Sequence, residues 1–295
     1  MSVSSSLAIA SNTSPEEVDV SSPSVARRQL SAQMRAKRLN AGMTIEQVAD
    51  ELEWSSTKIS NIETGRSKKP AVTDIRILLD LYKVTDERER DSILALTRQS
   101  RERGWWNRYD DVLGGAYASL EAGARSLRLF EPQYIPGLFQ TPEYAEAIAQ
   151  ATLIRDPNDI QRTVEARMRR QEILTQDDPP DVWAIIHEGA LLMLKASPDL
   201  FEPQVARLID LAESPNSVTL QVLPTSAGLH AGMGGPFSIL DYDAAQSLVF
   251  LETNTDGLYL EKPSEITRYR RCFDRLLAKA LDPDAIPDYL RSLTA

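Results

Sequence analysis

The sequence is poor in cysteine, in histidine and in long apolar runs. Among 295 residues there are one cysteine, Cys272, and two histidines, so an internal disulfide and a cysteine-rich zinc site are excluded. No apolar run approaches the ~20 residues that span a bilayer. The first 23 residues contain eight serines and no basic start, which argues against a secretory signal and predicts a disordered tail. We therefore expect a cytoplasmic protein without a membrane partner.

The sequence motifs of common enzymes are also missing. His187 and Glu188 begin an H-E-x-x-H pattern, but Leu191 occupies the place of its second histidine. We interpret His187 as a strand-end histidine that is satisfied locally. No G-x-S-x-G turn is present, and Cys272 falls in the middle of a helical pattern among core positions. The sequence thus predicts no catalytic residue, no cofactor and no metal site.

One glycine-rich stretch, GLHAGMGGPF, remains as a candidate for binding in the second half of the chain. No Lys-Ser/Thr pair follows it, and the next element is a predicted strand rather than a helix, which disfavours a phosphate-binding loop. A mobile connecting loop is the favoured interpretation. The alternative is a lid over a ligand or partner, in which the candidate residues are His230, Gly232, Gly234 and Gly235.

Charge is distributed unevenly along a chain whose formal net charge is -10. Residues 24–84 carry 11 Lys or Arg against 7 Asp or Glu, and the remainder carries 22 against 36. The sign changes near residue 85, which indicates a functional boundary. We therefore expect a tail over 1–23, a helix-turn-helix domain over 24–84, a helical linker over 85–109 and a separate domain over 110–295.

The basic segment has the local signals of a helix-turn-helix. Thr44 and Gln47 have the spacing of a capping box before an apolar face, and Ser55 has the position of a cap for a second short helix. Gly65 is expected to end that helix, and Thr73 to cap the next one. The pattern predicts an all-α, five-helix helix-turn-helix domain. A compact helical bundle with merely polar faces is the alternative.

The helix-turn-helix assigns roles to particular side chains. Its second helix, 56–64, is expected in the major groove, where the base-reading residues are Ser56, Thr57, Lys58 and Asn61. A larger set is placed to contact phosphates, which set affinity and register but carry little sequence information. These phosphate-binding residues are Arg35, Arg38, Thr44, Gln47, Ser55, Arg66, Lys68 and Lys69. The predicted partner is double-stranded DNA.

The remainder of the chain predicts an α+β domain. Five β-branched or aromatic runs bounded by turn residues are strand candidates: 182–187, 218–224, 236–243, 247–252 and 256–262. The last three follow one another at hairpin distances, so we expect a mainly antiparallel sheet with helices covering one face. Arginines 162, 167, 169 and 170 are interpreted as a solvated helix face with internal salt bridges.

The stretch IEQVADELEWSSTKISNIETGRSKKP resembles the Xre, or lambda-repressor-like, helix-turn-helix family over residues 25–84. Ile45 stands where many relatives have a Gln that contacts phosphate, so that contact does not transfer. Asn61 stands where Arg is common, so the family's base preference does not transfer either. The stretches FEPQYIPGLFQTPEYA and YLEKPSEITRYRRCFDRL are similar to actinobacterial Xre regulators of the WhiJ-like kind. That resemblance implies a transcriptional regulator of development or secondary metabolism, often encoded beside a small partner protein.

Together these features predict a homodimeric DNA-binding regulator, associated with the nucleoid. Its C-terminal domain would dimerise, sense a small-molecule effector or bind a small protein partner. The alternative from another class is an adaptor or antitoxin-like interaction protein whose C-terminal domain binds a small protein. An enzyme with a helix-turn-helix head is a third possibility, for which the sequence offers no constellation of catalytic residues.

Overall fold

The structure is a computed structural model that describes residues 23–294 apart from 103, 110, 111, 113–115, 215, 216, 244 and 254–256. The expected disordered tail over 1–23 lies outside the described residues, except that Pro23 begins the first helix.

Five helices form the N-terminal half, as the sequence predicts. They are α1 (Pro23–Asn40), α2 (Ile45–Leu52), α3 (Ser56–Glu63), α4 (Val72–Leu81) and α5 (Glu87–Gln99). The capping box of Thr44 and Gln47 is present, and the Ser55 side chain caps α3. Thr73 is not a cap, because α4 begins one residue earlier, after Ala71. That part of the prediction was wrong.

Helix α5 belongs to the core of the helix-turn-helix domain. Its Ile93 and Leu94 are buried in the same cluster as Leu30, Ile59 and Leu78 from the preceding helices. The packed core of the helical domain therefore continues past residue 85, where the sign of the net charge changes. Residues 87–99, which the sequence suggested as part of a linker, complete the helical domain instead.

The C-terminal part contains seven α-helices and six strands among the described residues, besides short 3₁₀ helices. The helices are α6 (Tyr117–Ala122), α7 (Pro142–Ala151), α8 (Pro157–Gln171), α9 (Glu188–Leu194), α10 (Pro198–Glu213), α11 (Pro263–Leu277) and α12 (Ile286–Thr294). The strands are β1 (Ser126–Glu131), β2 (Asp181–His187), β3 (Val218–Leu223), β4 (Phe237–Asp241), β5 (Leu248–Glu252) and β6 (Gly257–Leu260).

The six strands form one mixed sheet in the order β3-β2-β1-β4-β5-β6. Strands β1, β2 and β3 are parallel, and β4, β5 and β6 add an antiparallel meander beside β1. The α+β class and the meander are confirmed, and three of the five strand pairs are antiparallel, so the sheet is mixed but mainly antiparallel. Strand β1 was not among the five strand candidates, although Pro132 and Pro136 favour an extended chain over a helix in the stretch SLRLFEPQYIPGLFQ.

Helices cover both faces of the sheet, not one. Along β2, Val182, Ala184 and Ile186 belong to one buried cluster, and Ile185 belongs to another. This alternation follows from the two-residue period of a strand. The first cluster is closed by helices including α10 and α12, and the second by α11. A sheet with a parallel part is buried on both sides for this reason.

The four arginines of α8 do not form a solvated face. Arg170 donates from Nε and Nη2 to the two carboxylate oxygens of the buried Glu121, both at 2.8 Å. Arg167 donates to Oε1 of Gln140 at 2.9 Å. Only Arg169, which pairs with Glu172, has the expected exposed position. The expected internal salt bridges exist, but Arg170 makes its bridge inward, to α6.

Helix α1 is shared by the two halves of the molecule. Leu30 is part of the helix-turn-helix core, whereas Val25, 1% exposed, is buried in the cluster below the sheet. The Ser24 and Ser119 hydroxyls are 2.7 Å apart, and Arg28 donates to a carboxylate oxygen of Glu261 at 2.6 Å. One continuous helix therefore connects the two cores.

Candidate nucleic-acid interface

Helices α2 and α3 pack together with a three-residue turn between them, as a helix-turn-helix requires. Glu53 ends α2 in the left-handed region at φ 52°, and the Trp54 amide donates to the Ala49 carbonyl at 2.9 Å. This reverses the chain within one turn and lets Ser55 start α3. The first turn of α3 is consequently presented at the surface.

The side chains that cap α2 and α3 retain hydrogen-bond donors that can bind an anion. Thr44 Oγ1 accepts from the Gln47 amide at 3.2 Å, and Gln47 Oε1 accepts from the Thr44 amide at 2.8 Å. Ser55 Oγ accepts from the Lys58 amide at 3.2 Å. Since these bonds use the oxygens as acceptors, the hydroxyl hydrogens and the Gln47 side-chain NH₂ can donate to phosphate oxygens. The phosphate-binding role expected of Thr44, Gln47 and Ser55 is compatible with this geometry.

Three of the four predicted base-reading residues lie as a recognition helix needs them. Ser56 and Thr57 are exposed on the first turn of α3. Asn61 is half-buried one turn later, where its carbonyl accepts from the Ser67 amide at 3.0 Å and its side chain retains both donor and acceptor groups. Hydroxyl and amide groups of this kind can pair with base edges.

Lys58, the fourth predicted base-reading residue, contacts other residues of the helix-turn-helix domain. Its Nζ lies 2.9 Å from Oδ1 of Asp74 on α4 and 3.5 Å from the centre of the Trp54 ring. The carboxylate neutralises the ammonium, and the ring holds it by cation–π attraction. Because the Lys58 side chain is still 38% exposed and its ammonium has three donors, Lys58 can contact a base or a phosphate in competition with Asp74.

We expect Asp74→Asn to increase affinity for DNA by removing this competition. If Lys58 then contacts a phosphate, the slope of log K against log salt concentration becomes steeper by about 0.9. Titration of a labelled duplex at several salt concentrations measures it. Asp50→Asn, at an exposed position of α2, is the matched control for the change in net charge. The interpretation fails if Asp74→Asn has the same effect in a Lys58→Ala background.

Arg38 does not lie at the surface, contrary to the prediction that it contacts phosphate. It is 7% exposed, and its Nε and Nη2 donate to the two carboxylate oxygens of Glu63 at 2.7 and 2.9 Å, while Nη1 donates to the Met43 carbonyl at 2.7 Å. The hydrogen bond to Glu63 holds the pKa of Arg38 above its ordinary value. Arg38 therefore ties α1 to the last turn of α3 and orients the recognition helix.

The other predicted cations are exposed. Arg35 lies on α1, and Arg66, Lys68 and Lys69 lie in the loop after α3. Exposed cations thus follow directly after α3, the helix that carries the predicted base-reading residues. Sequence analysis did not identify Glu63 and Asp74 as functional, since nothing local distinguishes a carboxylate that pairs across the fold.

The candidate loop in the second half lies at the carboxyl edge of the parallel strands, between β3 and β4. His230 is half-buried and Gly232 is buried, and a Cβ on Gly232 would lie 2.3 Å from the Phe130 ring. Gly234 and Gly235 have open space around them, with Gly235 at φ 110°. The Lys279 ammonium donates to two carbonyls of the loop, at 2.9 and 2.8 Å. Within the described residues this loop is held in place at several points.

Two negative findings apply to the described part of the chain. No group of three or more His, Cys, Asp or Glu side chains is arranged to hold a metal ion. No helix combines the length and apolar character needed to cross a membrane.

The fold and the site define a helix-turn-helix protein with a mixed-sheet C-terminal domain. A helix-turn-helix family matches residues 29–93, which supports DNA binding and a regulatory role. The domain of unknown function DUF5753 matches residues 115–292, and because this is more than half of the chain, the protein belongs to that family. No curated protein and no solved structure matches the chain.

Proposed function

We propose that this protein is a sequence-specific DNA-binding transcriptional regulator of the Xre type. The exposed Ser56 and Thr57, on a helix start flanked by capped donors, carry the proposal. The segment 56–64 enters the major groove, and Arg66, Lys68 and Lys69 neutralise phosphates beside it. The protein acts in the cytoplasm, on the nucleoid.

The C-terminal domain dimerises the protein and senses a small-molecule effector or a small protein partner. Support comes from α1, which enters both cores, so that a change in the sheet domain can reach the recognition helix through Arg38 and Glu63. The similarity to WhiJ-like actinobacterial regulators adds a role in development or secondary metabolism to the proposal.

Selection of duplexes from a random pool by the full chain tests the proposed function. A dimer enriches inverted half-sites whose centres lie about 34–36 Å apart, one helical turn, or a multiple of that distance. Thr57→Val should change the enriched bases while leaving the half-site spacing unchanged, since Val keeps the shape and removes the hydroxyl. A pool without any enriched sequence would contradict sequence-specific binding.

We expect Lys69→Ala to weaken binding to all duplexes by the same factor. The lost ammonium is a phosphate contact, so the slope of log K against log salt becomes shallower by about 0.9. Fluorescence titration of the enriched site and of a scrambled duplex measures both quantities. Arg275→Ala removes one charge from an exposed position of α11 and should leave the slope unchanged. A loss confined to the enriched site would instead make Lys69 a base-reading residue.

A further inference from the structure

The only two histidines of the chain lie together at the carboxyl edge of the parallel strands. His187 ends β2, and His230 belongs to the loop 224–236 between β3 and β4, here called the glycine loop. Their ring centroids are 5.5 Å apart with an interplanar angle of 34°. The edge of the Phe130 ring completes the contact, with centroids 5.9 Å from His230. The fold thus pairs two residues that are far apart in sequence.

Both histidines make the same local turn, His-x-Gly. Nδ1 of His187 accepts from the amide of Gly189 at 3.0 Å, and Nδ1 of His230 accepts from the amide of Gly232 at 3.2 Å. A Cβ on Gly189 would lie 2.9 Å from that Nδ1, and one on Gly232 would overlap Phe130. Glycine is therefore needed at the second position after each histidine for a steric reason.

The two turns determine which ring nitrogen carries the proton. Because Nδ1 is an acceptor in both turns, a neutral imidazole here has its hydrogen on Nε2. A histidine that binds metal through Nε2 has the opposite arrangement, in which Nδ1 donates to a carbonyl or carboxylate. A second proton on Nδ1 would place a donor against each glycine amide and two positive rings beside each other. The pair therefore fits proton sensing rather than metal binding.

Other side chains of the sheet domain also hold the glycine loop, among them Glu188, which accepts from the amide and the hydroxyl of Thr225. Lys279, which follows α11, donates to the carbonyls of Ala227 and Leu229. The Cys272 thiol on α11 donates to the Ala231 carbonyl at 3.1 Å. Leu229 is 84% exposed, so apolar burial does not hold this end of the loop.

Burial and neighbouring groups favour a neutral His230 ring. Burial, then His187 and Lys279, hold the pKa of His230 below its ordinary value. Glu188 beside His187 accepts from the Thr225 hydroxyl at 2.5 Å, from the Tyr289 hydroxyl at 2.6 Å and from the Thr225 amide at 2.7 Å, and these hydrogen bonds keep its pKa low.

Two further titratable groups of the sheet domain have pKa values that are raised for reasons other than the imidazoles. Burial, then Glu252, raise the pKa of Glu131 at the end of β1 to about 8, so this carboxyl is affected by other neighbours than the imidazoles. Burial also raises the pKa of the Cys272 thiol on α11, which keeps it uncharged over the acidic range.

We propose that His187 and His230 form an acid-sensitive latch that holds the glycine loop on the sheet at neutral pH and releases it when the His230 ring is protonated. The closed loop binds fewer protons than the open one, because the pKa of His230 is lowered in the closed state. Closure is therefore fully favoured above the ordinary imidazole pKa of about 6.5 and is lost as pH falls below that value. The latch does not depend on DNA binding.

Nitrogen NMR of the full chain with labelled histidine tests the resting state, because only two imidazoles contribute signals. At pH 7.5 we expect each ring to have its hydrogen on Nε2, because Nδ1 accepts from a glycine amide in both turns. On titration to pH 5, His230 should gain a proton on Nδ1 at a pH below the ordinary value. Hydrogen on Nδ1 at neutral pH, or a His230 pKa above the ordinary value, would overturn the latch.

The single thiol reports loop release in the same protein. We measure the rate constant for the reaction of Cys272 with a pyridyl disulfide and divide it by the rate constant of a free thiol at the same pH. This ratio should rise as the pH is lowered from 7.5 to 5. The rise is limited to about tenfold for each unit by which closure lowers the imidazole pKa. In the double variant His187→Asn and His230→Asn, the side-chain oxygen can take the same amide hydrogen bond without titrating, so the ratio should stay constant. A ratio that rises equally in both proteins would overturn the proposal.

Discussion

Arg38→Met should lower the free energy of unfolding of the helix-turn-helix domain by about 3–5 kcal/mol. The variant leaves the carboxylate of Glu63, 9% exposed, without its guanidinium partner in the core. It also removes the donor to the Met43 carbonyl, which precedes the cap of α2. Hydrogen exchange of residues 30–80 in increasing urea measures the loss for this domain alone.

Arg35→Met is the matched control for Arg38, because it removes the same charge from an exposed position of the same helix. We expect its effect on stability to stay within about 0.5 kcal/mol. The double variant Arg38→Met and Glu63→Leu should recover most of the loss, since a buried ion pair can be replaced by apolar groups at little cost. Equal effects of the two single variants would contradict the buried position of Arg38.

Val25→Asp should destabilise the C-terminal domain by about 3 kcal/mol or more, because an unpaired carboxylate would enter an apolar cluster. Val25 is 1% exposed and belongs to the cluster below the sheet, although it lies on the first helix of the DNA-binding domain. Since α1 enters both cores, we expect the two domains of the unchanged protein to unfold together. In the variant the sheet domain should unfold at a lower urea concentration than residues 30–99.

Ala32→Asp introduces the same charge at an exposed position of α1 and should leave the two transitions coincident. Hydrogen exchange of peptides from each domain, at a series of urea concentrations, separates the outcomes. A Val25→Asp protein that loses less than about 1 kcal/mol in both domains would show that α1 does not couple them.

Much of the candidate DNA-binding site was predictable because its signals are local. The Thr44 and Gln47 capping box, the Ser55 cap and the exposed Ser56 and Thr57 depend on contacts within three or four residues. The helical period also correctly exposes Arg35 on α1. For such residues the neighbouring sequence supplies the interacting group, so no knowledge of the tertiary fold is needed.

The contacts that sequence did not predict involve side chains that pair across the fold. Arg38 is buried, contrary to the prediction, whereas the base-reading role of Lys58 stays a prediction. Arg38 and Lys58 are basic residues at positions that a helix-turn-helix can expose, and each is neutralised by a carboxylate on another helix. A lysine or arginine takes the nearest compensating charge, and that charge is determined by packing rather than by spacing in the sequence. The contact between His187 and His230 was not predictable for the same reason.

The sequence by itself determined the elements: five N-terminal helices, the turn between α2 and α3, the strands after residue 180 and the separation of a basic from an acidic half. Only the tertiary structure decided that α1 and α5 join cores beyond their predicted domains and that β1 lies at the centre of a mixed sheet. The tertiary structure also decided which Lys and Arg side chains of the helix-turn-helix domain remain exposed. Caps, turns and periodicity act over a few residues, whereas strand order, burial and ion pairing depend on which distant surfaces pack together.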